Sequence, residues 1–228
     1  MNLSSTKNKT ACIVGSSGLV GQELLNYLLL DNEYSTVYSL VRKPSGISNE
    51  KLKEIQIDFD SFPYIFPEIK NVDVAFCCLG TTMKTAGSKE AFKKVDFTYP
   101  LEFAKWAKSI GACRFLAVSA MGADPASKIF YNQVKGEVEQ AIGKLGIPSV
   151  TFFRPSMLSG NRKENRPGER VALVIMKALS FLFIGPLKNY KAISVKRVAA
   201  AMLLHSKQDS SGVEVVLSGS MQDVKLPF

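Results

Sequence analysis

The sequence predicts an α/β fold in which one doubly wound parallel sheet carries helices on both of its faces. Three observations predict it. Short apolar runs alternate with longer helical patterns along most of the chain, and short connections join them. The run over residues 72–79 is nearly all apolar, as expected of a central parallel strand that is buried on both faces. A glycine-rich turn directly follows the first apolar run.

The individual elements follow this alternation in order. Apolar runs predict strands over residues 10–14, 36–41, 54–57, 72–79, 114–119 and 149–154. Helical periodicity predicts helices over residues 19–30, 88–109 and 129–145. The second of these helices should bend or break at Pro100, because proline removes an amide donor. This order of elements is typical of a Rossmann-type sheet.

The remainder of the chain is less regular. We expect residues 156–228 to form a small C-terminal elaboration that contributes to a substrate pocket, with a helix over 195–205 and a strand over 214–217. Residues 1–9 are polar and are expected to be a disordered lead-in. The whole chain, 1–228, is therefore predicted to be a single domain.

Two segments of this elaboration stand out. Residues 161–170 form a charged loop. Its arginines could bind an anionic substrate, although a solvated face is the favoured interpretation: Arg162, Arg166 and Arg170. Residues 171–187 are strongly apolar, but they are shorter than the roughly 20 residues that a membrane span requires and they contain Lys177. A buried or pocket-lining helix is predicted here, and no transmembrane span. Peripheral membrane contact is the less favoured alternative.

Composition and charge exclude several functions. The net charge is +9, but the basic residues are scattered, so no nucleic-acid partner is predicted. The four cysteines lack metal-ligand spacing, so we expect no metal site and interpret them as small buried residues in a reducing compartment. The single histidine, His205, is expected at a helix end or on the surface. We predict a cytoplasmic protein, and the sequence does not specify its oligomeric state.

The glycine-rich turn reads Gly-Ser-Ser-Gly-Leu-Val-Gly over residues 15–21. A strand that turns directly into a helix aims free backbone N–H groups and the positive end of the helix dipole at one spot. Side chains at the glycine positions would block a pyrophosphate or hold helix and strand apart. An ordinary glycine turn is the alternative. Contacts with a dinucleotide cofactor are predicted for Gly15, Ser16, Ser17, Gly18, Leu19, Val20 and Gly21.

The end of the second strand predicts which dinucleotide binds. A site that prefers NAD places an acid there, where it binds the ribose 2′-hydroxyl. This chain has Arg42 and Lys43 instead, which would attract the 2′-phosphate of NADP. NADP is therefore favoured over NAD, with a basic surface turn as the alternative. Asp58, past the third strand, could accept a hydrogen bond from the adenine amino group or could serve a turn.

Tyr131 and Lys135 carry the predicted chemistry. They are four residues apart on one predicted helix, so their side chains share a face. A lysine ammonium beside a phenol stabilises the phenolate, which makes the tyrosine a candidate acid for the alkoxide that forms when hydride reaches a carbonyl. The pair opens the helix after the fifth strand, whose end carries Ser119. All three should lie at the carboxyl edge of the sheet, where ligands of such sheets bind.

Together, the glycine turn, the strand-end serine and Tyr-x-x-x-Lys resemble the short-chain dehydrogenase/reductase superfamily. The chain is most similar to its atypical, Tat-interacting-protein-like oxidoreductases, from about residue 10 to residue 170. That closer similarity rests on residues 78–88, 95–96, 118–123, 131–139 and 153–155.

The resemblance implies a nicotinamide cofactor on the glycine turn and a role for each candidate residue. Tyr131 would donate or accept a proton, and Lys135 would hold the nicotinamide ribose hydroxyls and tune Tyr131. Ser119 would steady the substrate carbonyl. The family commonly has two adjacent serines at this strand end, whereas the second position here is Ala120. If the second serine is the working hydroxyl, turnover is weak or absent.

Two further strand ends are candidate cofactor contacts. Arg154 ends the sixth strand, where members of the superfamily pass the nicotinamide, although it could instead pair with a loop acid. The fourth strand ends at three residues that should line the cofactor channel, with simple strand termination as the alternative: Leu79, Gly80 and Thr81.

The sequence thus predicts an NADP-dependent oxidoreductase of the short-chain type. It would transfer hydride between the nicotinamide and a carbonyl or hydroxyl of a small-molecule substrate. The alternative is an NADPH-binding regulator or sensor that acts through protein partners with little or no turnover. Ala120, and the short chain after the sixth strand, keep this alternative open.

Overall fold

The computed structural model describes residues 8–159 and 189–228. Its main sheet contains parallel strands only and confirms the predicted fold class. The strands are β1 (Lys9–Val14), β2 (Tyr34–Val41), β3 (Leu52–Gln56), β4 (Val74–Cys77), β5 (Arg114–Val118), β6 (Ser149–Arg154), β7 (Leu158–Ser159), β8 (Ile193–Ser194) and β9 (Gly212–Leu217). The main sheet has the order β3-β2-β1-β4-β5-β6-β9, and β7 pairs with β8 separately.

Helices cover both faces of this sheet. They are α1 (Leu19–Leu30), α2 (Met83–Ala86), α3 (Lys89–Lys93), α4 (Tyr99–Ser109), α5 (Phe130–Gly143), α6 (Val195–His205) and α7 (Ser218–Met221). A π-helical turn, Lys94–Thr98, joins α3 to α4. On one face, α1 and α6 pack over a core that includes Ala11 and Ile13. On the other, α4 and α5 cover Cys12 and Val14, because successive strand side chains point to opposite faces.

The strand order reverses at β1, which lies between β2 and β4. The loops that leave β1 and β4 therefore run to opposite sides, and a crevice opens between them at the carboxyl edge of the sheet. The glycine turn leaves β1 at this point. The fold thus places the turn where open α/β sheets bind ligands.

The predicted helix 88–109 is interrupted, but by a π-helical turn that ends before Pro100. Pro100 lies in the first turn of α4, where a missing N–H costs least. It cannot donate to the carbonyl of residue 96, so the regular helical ladder stops there. The Tyr99 N–H bonds to the carbonyl of Lys94 instead, five residues back. The predicted interruption of this helix is confirmed, but it lies at residues 94–98 and not at Pro100 itself.

Other boundaries differ by a few residues. Lys9, which was assigned to the lead-in, already belongs to β1, where its N–H bonds to the Glu33 carbonyl. Cys113 is exposed, so the prediction that all four cysteines are buried is wrong there. His205 ends α6, as predicted for a helix-end residue. None of the helices in the described part of the chain has the length and apolar character that a membrane crossing needs. The segments 161–170 and 171–187 lie outside the described residues.

Candidate active site

The glycine turn is packed too tightly for side chains at two of its positions. Gly15 has φ +77°, and a Cβ there would lie 2.5 Å from the carbonyl carbon of Cys78. A Cβ on Gly21 would lie 2.1 Å from the Gly15 carbonyl oxygen. At Gly18 the closest atom would be 3.2 Å away, which is tight but within reach of a small adjustment. The protein itself therefore requires glycine at residues 15 and 21, whereas the crowding at residue 18 is milder.

The first turn of α1 is open toward the crevice. Gly18 is its N-cap, with extended backbone and no capping side chain, and no acidic residue lies in that turn. Its backbone N–H groups and the positive end of the helix dipole are available to an anion. Ser16 is buried and accepts a hydrogen bond from Ser39 of β2 at 2.8 Å, which fixes the turn to the neighbouring strand. The residues present thus fit a dinucleotide pyrophosphate.

The residues predicted to identify the nucleotide lie on exposed loops. Arg42 and Lys43 follow β2, and the Arg42 carbonyl accepts a hydrogen bond from Gln56. The Asp58 carboxylate accepts hydrogen bonds from the Asp60 N–H and the Ser61 hydroxyl, so it holds a turn. Among the described residues, no hydrogen bond or ion pair joins these three to the other candidates.

Lys135 is held by a buried carboxylate. Its Nζ lies 2.8 Å from Oδ1 of Asp96, and the two side chains are 6% and 0% exposed. The other oxygen, Oδ2, accepts the Thr81 N–H at 2.8 Å. Burial alone would lower the pKa of Lys135, but the Asp96 charge, assisted by Tyr131, outweighs burial and raises that pKa above its ordinary value. Lys135 is therefore an ammonium at neutral pH.

Ser119 and Arg154 are joined by a second buried carboxylate, Glu139. The Ser119 hydroxyl donates to Glu139 Oε1. Arg154 donates from Nε to both carboxylate oxygens at 3.1 and 3.2 Å and from its terminal nitrogen to Oε2 at 2.5 Å. Arg154 therefore pairs with a helix residue and not with a loop acid. Because a hydroxyl has one proton, Ser119 in this arrangement has none left for a substrate carbonyl.

Tyr131, Lys135 and Glu139 form one stripe along α5, since they are spaced by four residues. Tyr131 occupies the first turn and is only partly buried, with its ring 5.5 Å from that of Phe92. Its hydroxyl makes no hydrogen bond to any described residue, so it is free to meet a ligand. The stripe thus combines the unbonded hydroxyl of Tyr131 with two buried ion pairs, one formed by Lys135 and one by Glu139.

A small cavity of about 10 Å³ lies below the stripe, which is room for about one water molecule. Its polar lining comes from both carboxylate contacts, through Asp96, Lys135, Ser119 and Glu139. It is too small for a substrate.

Sequence reasoning missed three residues that build this site. Asp96 and Glu139 lie within segments that carry the family resemblance, yet they were given no role. The third is Gly136, where a Cβ would lie 2.2 Å from the backbone of Asp124 and Pro125. Its neighbour in sequence is Lys135, so this close approach of α5 to the loop after β5 helps to set the position of the lysine.

Comparisons with known proteins agree with this geometry. The sequence profile of the NAD(P)H-binding family matches residues 15–203. The chain is 35% identical to protein HTATIP2 of Rattus norvegicus, over 90% of this chain and 84% of that protein. It is 32% identical to the mitochondrial protein FMP52 of Candida albicans, over 94% of this chain and 96% of that protein. The names of the FMP52 relatives contradict our prediction of a cytoplasmic location, which is therefore wrong.

Solved structures share the fold at low identity. ADP-L-glycero-D-manno-heptose-6-epimerase of Helicobacter pylori has a TM-score of 0.68 at 17% identity, with 95% of this chain and 79% of that chain covered. MoeE5 in complex with UDP-glucose and NAD has a TM-score of 0.66 at 15% identity, covering 90% and 74%.

Fold, glycine turn and sequence relationships thus agree. The protein has an NAD(P)-binding Rossmann-type oxidoreductase fold. It belongs to the NAD(P)H-binding family and, within the short-chain dehydrogenase/reductase superfamily, to the atypical group of Tat-interacting-protein-like relatives.

Proposed function

We propose that the protein is an NADP-dependent oxidoreductase that transfers hydride between the nicotinamide and a carbonyl or hydroxyl of a small molecule. The observation that carries this proposal is the glycine turn at the open end of α1. Packing within the protein fully explains the glycines at residues 15 and 21, but it explains Gly18 only in part, because a Cβ there would lie 3.2 Å from the Gly15 carbonyl oxygen. A pyrophosphate that approaches the backbone at Gly18 would add a second reason for glycine at that position.

When bound, the nicotinamide supplies or accepts the hydride at the substrate carbon. Tyr131 then gives a proton to the substrate oxygen, or takes one from it, through its free hydroxyl. Lys135 lies one turn further along the same helix as Tyr131, and a lysine ammonium beside a phenol favours the phenolate. Arg42 and Lys43 would bind the 2′-phosphate that distinguishes NADP from NAD.

One observation favours the second candidate function, an NADPH-binding regulator with little turnover. The Ser119 proton is donated to Glu139, and the next residue, Ala120, has no hydroxyl. A carbonyl substrate therefore lacks a serine donor in this arrangement, and Tyr131 is the remaining acid. A regulator of this kind would act through protein partners.

The first test follows NADPH consumption with a panel of aldehydes, ketones and quinones, after NADPH binding has been measured by titration calorimetry. Tyr131→Phe keeps the ring contact with Phe92 and removes the hydroxyl, so we expect turnover to fall by roughly 100-fold or more. Tyr38→Phe is the matched control, because the Tyr38 hydroxyl donates only at 3.4 Å to the Glu68 carbonyl.

The outcomes of this test separate the two functions. Binding with turnover that requires the Tyr131 hydroxyl supports the enzyme. Binding without consumption, unchanged in Tyr131→Phe, supports the regulator. If neither NADP nor NAD gives a heat of binding, in the oxidised or the reduced form, both proposals fail.

The second test measures cofactor preference. Arg42→Ala should weaken NADPH binding by roughly 10- to 100-fold, because it removes a charge-assisted contact with phosphate, and should leave NADH binding unchanged. Lys70→Ala removes the same charge from an exposed residue and should alter neither affinity. Equal losses for both cofactors in Arg42→Ala would argue against 2′-phosphate recognition.

A further inference from the structure

Asp96 is a buried acid that no step of the proposed function uses. It lies in the π-helical turn between α3 and α4 and is fully buried. We propose that Asp96 is a positioning residue: it maintains Lys135 as a buried ammonium and ties it to the loop that leaves β4. The link from Lys135 to Tyr131 rests on the proposed function, whereas the state of Lys135 does not.

The geometry joins two elements through one carboxylate. Oδ1 of Asp96 meets the Lys135 ammonium of α5, and Oδ2 accepts the N–H of Thr81 in the loop after β4. Gly80 of that loop approaches closely, since a Cβ there would lie 3.5 Å from Oδ1 and 3.7 Å from Nζ of Lys135. Lys135 is thus fixed against the loop predicted to line the cofactor channel. An ammonium has three donors, so Lys135 keeps protons for other partners.

Charged and titratable groups face Lys135 from each element packed around it. Tyr131 lies one turn earlier on α5, and Cys77 ends β4. Glu139 lines the same cavity, but Arg154 and Ser119 already occupy its oxygens. Of the anions in the described structure, Asp96 is therefore the one that can offset the burial of Lys135.

A buried ion pair is not in itself a source of stability, because desolvation consumes much of the attraction. What Asp96 provides is a charge state. Without it, burial favours neutral Lys135, and a neutral amine neither stabilises a phenolate nor attracts a nucleotide. Asp96 therefore matters to the site through the proton on Lys135.

The test measures urea unfolding midpoints of the full chain from neutral to alkaline pH. In the wild type, the raised pKa of Lys135 means that its contribution is complete below the unfolded value and falls only at higher pH. In Asp96→Asn the unpaired ammonium should reduce the folded-to-unfolded ratio roughly 100- to 1000-fold at neutral pH. That loss should become smaller as the pH rises, because a neutral Lys135 amine does not carry the desolvation cost of a buried charge.

Two controls isolate Lys135. The double variant Asp96→Asn with Lys135→Met should lose the pH slope and recover most of the stability, since no charge remains buried. Asp60→Asn removes the carboxylate of a half-exposed pair with the same 2.8 Å distance, Lys94 to Asp60, and should show a much shallower slope, because solvent screens that pair. A flat profile in Asp96→Asn, or a slope that persists in the double variant, would overturn the proposal.

NADPH titration keeps this inference separate from the proposed function. In Asp96→Asn, affinity for NADPH should fall with rising pH while stability rises, a pairing of opposite trends that a purely structural defect does not produce. If the wild type binds no NADPH, the proposed function fails, yet the unfolding profiles still decide whether Asp96 maintains the charge on Lys135.

Discussion

The inner and outer sides of the π-helical turn Lys94–Thr98 carry two ion pairs of the same length. On the outer side, Lys94 reaches Asp60 at 2.8 Å, and both side chains are about half exposed. On the inner side, Asp96 reaches Lys135 at 2.8 Å, and the side chains are 0% and 6% exposed. Identical distances therefore occur in water and in the protein interior. The two pairs differ in how far their side chains are exposed to solvent, and this exposure determines the role of each contact.

In water, an ion pair is screened, and side-chain entropy opposes it, so the Lys94 contact mainly fixes the position of a loop. In the interior, a charge left without its partner is costly, so the Asp96 contact determines a protonation state. The turn can contribute to both ion pairs because Lys94 and Asp96 are two residues apart, and residues two apart in a helix lie on different faces. One turn thus combines a surface contact with part of the candidate active site.

Gly136→Ala should break only the inner contact, between Asp96 and Lys135. It should lower stability more than a variant of the outer contact does. The new Cβ would lie 2.2 Å from backbone atoms of Asp124 and Pro125, so α5 must move and carry Lys135 away from Asp96. We expect the free energy of unfolding to fall by about 1–3 kcal/mol. The variant should also acquire the alkaline slope of Asp96→Asn, which urea unfolding at several pH values measures.

Gly143→Ala is the matched control in the same helix. Its Cβ would meet only the end of the Val213 side chain, at 3.4 Å, so stability should be unchanged or slightly higher. If both glycine variants behave alike, the close approach at Gly136 does not position Lys135, and the inner contact does not depend on where α5 lies.

The sequence predicted elements best where local signals bound them. The helix α1, Leu19–Leu30, was predicted to the residue, since the glycine turn precedes it and its apolar pattern stops at Asp31. The π-helical turn was not predicted, because apolar periodicity runs through residues 88–109 without a visible break. Pro100 indicated that the helix is interrupted nearby. The sequence alone does not distinguish a proline in the first turn of a new helix from a proline in the middle of a helix.

The sequence predicted where the candidate site lies in the fold, but it did not predict the buried ionic contacts that build the site. Tyr131, Lys135 and Ser119 do lie at the carboxyl edge of the sheet, which follows from strand order. Asp96 and Glu139 were missed, because an acid in a helical pattern usually faces solvent and their partners are distant in the sequence. Only the tertiary structure shows that these acids are buried and which cations they meet.

Asp60→Asn tests the outer contact and should have the smallest effect. Hydrogen bonds from Lys94 and then Tyr99 lower the pKa of the Asp60 carboxyl, so its contribution is present above the unfolded pKa and disappears as the pH falls below about 4. At neutral pH and physiological salt the urea midpoint should match that of the wild type within error, and a small loss should emerge only at low salt. A loss as large as that of Asp96→Asn, insensitive to salt, would mean that burial is not what separates the two sides of the turn.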